Sequence, residues 1–79
     1  MIEILCSDTY SDVSLERPEG APPRVRIGTQ HSIAAILDAI GHQLSADEAS
    51  ACERLWADDH ASREFTQTPE GMLFSLRQD

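Results

Sequence analysis

Apolar residues recur at intervals of two toward both ends of this chain and at intervals of three and four in its middle. Ile2, Ile4 and Cys6 occupy alternate positions with Glu3 between them, the spacing of a strand with one buried face. Met1 and Leu5 make the second face partly apolar as well. Ser7-Asp8-Thr9 is a turn cluster. Tyr10 to Arg17 then alternates weakly, with Val13 and Leu15 on one side and Asp12, Ser14 and Glu16 on the other. A hairpin between these two strands is expected. Residues 18–23 hold three prolines and a glycine, which predicts an exposed loop. Arg24 to Gly28 resumes the alternation, with Val25 and Ile27 inward and both arginines outward.

The period then changes. Ile33, Ile36, Leu37, Ile40 and Leu44 fall on one helical stripe, widened by Ala34, Ala35 and Ala39. Thr29 is the expected N-cap and Gly41 the expected C′ residue. This helix is apolar enough to be a central core element or to turn one side to a partner. Ser45-Ala46-Asp47-Glu48 has the form of a capping box, and Ala49, Cys52, Leu55 and Trp56 give the second helix its apolar face. Residues 63–67 alternate around Phe65, Thr68-Pro69-Glu70-Gly71 is a turn with a glycine bulge, and Met72 to Arg77 is the returning strand. The predicted order is β-β-β-α-α-β-β. It describes one α+β domain over 1–79, a small antiparallel sheet with a two-helix hairpin packed on one face.

Composition narrows the function. The 79 residues carry 14 Asp plus Glu against 6 basic residues, all arginine, for a net charge of −8. Such a chain holds one small core. It lacks the run of roughly 20 apolar residues that crosses a bilayer. It shows no basic segment leading into an apolar one, so a cytoplasmic location in the host cell is expected, with no membrane partner. Cys6 and Cys52 have no zinc or redox spacing and are expected as buried free thiols.

Candidate chemistry is sparse. His60 follows Asp58 and Asp59, a local set short of the three or four ligands that a transition metal needs. His31 and Ser32 are neighbours on the chain, which points them about 100° apart on a helix, and His31 and His42 are expected in solvent. No phosphate-loop, dinucleotide or metalloprotease pattern occurs. The expectation is a chain without catalytic activity, cofactor or metal. The two helices and following hairpin have the order of a winged helix-turn-helix, a transcriptional-regulator module. Yet the groove-entering helix would carry Arg54 against Asp47, Glu48, Glu53, Asp58 and Asp59. DNA phosphates would repel it, so direct nucleic-acid binding is not expected.

The acidic residues remain. Asp47, Glu48, Glu53, Asp58 and Asp59 follow one helix, and Asp8, Asp12 and Glu19 flank the second strand. If the two groups share a face, their carboxylates imitate phosphates toward a basic cleft. Tyr10, at a loop–strand junction, is the aromatic expected at that surface as an interface anchor. In size, acidity and lack of catalytic motifs the chain resembles small phage and mobile-element proteins, in particular anti-CRISPR proteins. The resemblance covers this general character and carries over no residue. It implies a non-enzymatic inhibitor that docks on a basic subunit of a CRISPR effector complex and blocks target DNA binding. Two alternatives stand beside it: an antitoxin-like or regulatory partner, and a structural accessory subunit of an oligomer. The chain itself is expected as a monomer or homodimer.

Overall fold

The computed structural model describes residues 2–56 and 63–76. Along the chain come β1 (Glu3–Cys6), β2 (Ser14–Glu16), β3 (Arg24–Ile27), α1 (Ile33–Ile40), a 3-10 turn (Gly41–Gln43), α2 (Ala46–Trp56), β4 (Arg63–Thr68) and β5 (Gly71–Leu76). The α+β class and the order of strands and helices follow the pattern read from the sequence. The pairing partly differs. The strands form one sheet in the order β2-β3-β1-β5-β4. β1 pairs with β3 in parallel, so the sheet is mixed, and its other three pairings are antiparallel.

The expected β1–β2 hairpin does not form. β1 is apolar on both faces, with Ile2, Ile4 and Leu5 at most 1% exposed, and burial on both faces belongs at the centre of a sheet. β2, with exposed Ser14 and half-buried Leu15 and Glu16, takes an edge beside β3. Hydrogen bonds from Glu3 N–H to the Pro23 carbonyl (2.9 Å) and from Ser7 N–H to the Ile27 carbonyl (3.1 Å) extend the parallel pairing past both strand ends.

Register sorts the side chains. Ile4 lies opposite Val25 and Phe74, and Cys6 opposite Ile27 and Met72. Ile2, Ile4, Cys6, Val25 and Ile27 join Ile36 and Ile40 of α1 and Cys52 and Leu55 of α2 in one core. Both helices thus cover this face. On the other face, Leu5 lies between Arg26 and Leu73 and is 1% exposed. Ion pairs cross that face from Arg24 to Glu3 (3.3 Å), and from Arg26 to Glu16 (2.7 Å) and Glu70 (3.7 Å).

The caps correct two expectations. Ser32, not Thr29, caps α1: its Oγ accepts the Ala35 N–H at 3.2 Å. Gly41 takes right-handed helical angles (φ −56°, ψ −34°) and starts the 3-10 turn, so it is no left-handed C′ residue. The capping box forms as read: Ser45 Oγ accepts the Glu48 N–H (3.1 Å) and Glu48 Oε1 accepts the Ser45 N–H (2.9 Å). α1 buries Ile36 and Ile40 while Ala34, Asp38 and Ala39 face outward. Cys6 and Cys52 are free and buried, as expected.

Candidate functional site

Strand direction places the acidic groups. β1 and β3 run the same way and β2 runs against them. The 7–13 and 28–32 loops therefore leave one end of the sheet, and the 17–23 loop leaves the other. Asp8 and Asp12, both exposed, belong to the first end. Exposed Glu19 belongs to the second. The start of α2 lies at that second end as well, because Arg17, just beyond β2, reaches it. Arg17 Nη1 donates to Glu48 Oε2 and Nη2 to Glu48 Oε1, both at 2.8 Å, and Nη2 also donates to the Gln43 carbonyl at 2.8 Å. A two-pronged contact of this kind fixes geometry as well as charge. It holds the Glu48 carboxyl well below the usual carboxylate range, at about 2, with help from the Ser45 backbone N–H.

The structure thus brings Asp47, Glu48 and Glu19 to one end and sets Asp8 and Asp12 at the opposite end. Among the described residues, the start of the acidic helix and the Asp8–Asp12 pair therefore do not share one end of the sheet. Glu48 is half-buried and engaged by Arg17, which makes it a latch between β2 and α2. Asp47 and Glu53 on α2 are exposed and in no ion pair among the described residues. Asp58, Asp59 and His60 lie outside the described residues.

Tyr10 is half-buried, with the Arg26 guanidinium carbon 5.8 Å from its ring centre. Among the described residues, the exposed large hydrophobic side chain is instead Phe65, 47% exposed on β4. Phe65 stacks edge-to-face on Phe74 (centroids 5.0 Å apart), and Phe74 meets Trp56 at 5.3 Å. The Arg63 guanidinium lies over both phenyl rings, and its Nη1 donates to the Leu55 carbonyl at 2.7 Å near the end of α2. Alternation in residues 63–67 marks Phe65 as a face residue. It gives no sign that β4 is the last strand, where the helix layer leaves that residue exposed.

His31 does not stand free in solvent. It is half-buried, and its Nδ1 accepts the Gly28 N–H at 2.9 Å. Its carbonyl accepts the Trp56 indole N–H at 2.8 Å, tying the end of α2 to the entry of α1. His42 is exposed, as expected.

Five arginines are described. Arg17, Arg24 and Arg26 engage carboxylates, and Arg63 engages a backbone carbonyl and two rings. Only Arg54, exposed on α2, lacks such a contact among the described residues. No pocket and no cluster of metal-ligating side chains occurs among the described residues. No helix there is long and apolar enough to cross a membrane. Compared with known proteins, the chain matches no family model, no curated protein and no solved structure.

Proposed function

We propose that this protein is a non-catalytic binding domain that docks on a cationic protein surface through exposed carboxylates. In its most specific form it is an anti-CRISPR-type inhibitor, acting in the host cytoplasm by occupying a basic nucleic-acid channel of a CRISPR effector complex. One observation carries this reading: among the described residues, most of the arginines are engaged by the protein itself, while six carboxylates stand exposed outside any ion pair. Four of the five described arginines contact the protein itself, whereas Asp8, Asp12, Glu19, Asp38, Asp47 and Glu53 are exposed and join no ion pair among the described residues. Those six carboxylates are therefore available to a partner, on a chain whose net charge is −8. Such a field steers the domain toward arginine- and lysine-lined clefts, and it opposes binding to nucleic acid directly. Channels that hold a guide–target duplex have the required sign.

The test is target-DNA binding by a purified CRISPR effector complex with and without the protein. Inhibition that fades as salt rises is expected. Joint Asp47→Lys and Glu53→Lys replacement should relieve it while leaving the far-UV circular dichroism spectrum unchanged. Full inhibition by that variant removes α2 as the contact. Inhibition indifferent to salt removes the electrostatic reading altogether.

A further inference from the structure

We infer that the outer face of α2 meets a basic protein surface that carries one acidic side chain among its cations, and that Arg54 takes this carboxylate. This rests on the cationic protein partner proposed above and adds the chemistry that the partner presents to α2. The fold engages its other described arginines. Arg17, Arg24 and Arg26 meet carboxylates, and Arg63 meets the Leu55 carbonyl and two rings. Arg54 is exposed and makes no such contact among the described residues. Its guanidinium donors face solvent, where an acceptor from outside the domain can reach them.

Helix geometry places this cation inside the acidic face. At about 100° per residue, exposed Glu53, Ala46, Ser50, Arg54 and Asp47 follow one another in that order around an arc of about 120°, on the side away from buried Cys52 and Leu55. Arg54 and Asp47 are two turns apart and nearly in line, about 10 Å along the axis. Arg54 therefore lies between Asp47 and Glu53, the two exposed carboxylates of α2, which join no ion pair among the described residues. A uniformly cationic surface would attract both carboxylates and repel the guanidinium between them. That repulsion acts at contact distance, well inside the Debye length, so salt relieves it poorly. A partner with basic groups opposite Asp47 and Glu53 and a carboxylate opposite Arg54 removes the conflict. A guanidinium matches a carboxylate through two parallel hydrogen bonds, which fixes register as well as charge. Arginine is also among the residues that dominate binding energy at the centre of an interface. A nucleic-acid backbone is the poorer occupant, because its repeated phosphates would meet Asp47 and Glu53 as well. The place of Arg54 in the last turn suits the helix dipole, but that effect belongs to the folded chain alone and is read by unfolding, not by binding.

The experiment turns on a sign. Inhibition of target-DNA binding by a purified CRISPR effector complex is titrated with the unmodified chain and with Arg54→Glu, Arg54→Gln and Arg54→Lys at one salt concentration. Charge steering alone makes Arg54→Glu, the more acidic chain, the better inhibitor. A carboxylate contact gives the opposite result: Arg54→Glu and Arg54→Gln should inhibit at least ~10-fold less well than the unmodified chain. Arg54→Lys should fall between, since it keeps the charge and loses the fork. Urea midpoints establish that each variant is folded, and if Arg54→Glu is not, Arg54→Gln decides. Inhibition by the folded variant that equals or exceeds that of the unmodified chain overturns the carboxylate contact and leaves the cationic reading standing. No inhibition by the unmodified chain overturns both. Protein-free guide RNA that binds the unmodified chain but not the folded variant assigns the contact to phosphate and overturns the proposal.

Discussion

Glu48 performs two structural tasks with one carboxylate, since it closes the capping box on Ser45 and takes both prongs of Arg17. Its folded pKa, about 2, lies below the ordinary 4.5, so the unfolded chain takes up this proton first. The contribution to stability is complete above that ordinary value and is lost as pH falls toward 2. Glu48→Gln keeps a cap acceptor and removes the charge. Because the pair lies at the surface, the variant should be less stable by about 1 kcal/mol at neutral pH. Urea unfolding in the acid range should show that gap closing. A gap that persists undiminished would assign the effect to packing. Cys52 is the opposite case. Burial, reinforced by Glu48 and Glu53, pushes its thiol up to about 11. Native protein should therefore leave Cys52 unmodified by an aromatic disulfide reagent at mildly alkaline pH, and denaturant should release the reaction. Labelling of native Cys52 at the rate of an exposed thiol would contradict a closed core. Both residues were legible in the sequence, Glu48 from its spacing to Ser45 and Cys52 from its place on an apolar helical face. Arg17 was not, because no local pattern marks a contact 31 positions away.

The elements themselves were largely written in hydrophobic periodicity, while their neighbours in the sheet were not. Period two marks Ile2, Ile4 and Cys6 as one face whichever strand lies beside them, so it cannot separate a β1–β2 hairpin from the parallel β1–β3 pair. The deciding information is global: β1 has apolar residues for both faces, and β2 has too few to be central. Glycine shows the same limit. Gly71 was legible as a turn residue, but its second role depends on the sheet order. A Cβ there would run into the Cys6 carbonyl, and its φ is +154°. Gly20, at φ +77°, has open space around the position of a Cβ. Gly20→Ala should therefore cost only the backbone strain, about 1 kcal/mol. Gly71→Ala must add displacement of β1 from the β4–β5 turn and should cost clearly more than about 1 kcal/mol. Urea midpoints of the two variants compare them directly. Equal midpoints would mean that the close approach of Gly71 to β1 is relieved without cost.

At the scale of the molecule, net charge was legible and its arrangement was not. The sequence pairs no arginine with any acid. The fold pairs Arg17, Arg24 and Arg26 with Glu48, Glu3, Glu16 and Glu70, and leaves six carboxylates in solvent outside any ion pair among the described residues. Salt acts on these two populations unequally. The direct pairs lie within 3.7 Å, well inside the Debye length of about 8 Å at physiological ionic strength, whereas repulsion among carboxylates at opposite ends of the sheet acts over longer distances. Screening therefore removes more repulsion than attraction, and the fold should gain stability as sodium chloride rises from about 0.02 M to about 0.5 M. Docking on a cationic protein should weaken over the same range, because there the long-range term is attractive. Chemical unfolding by urea, which adds no ions of its own, measures the first trend, and partner affinity measures the second. Opposite signs in one salt series would tie stability and recognition to the same exposed carboxylates. A fold that loses stability with salt would show that the internal arginine pairs outweigh the surplus charge.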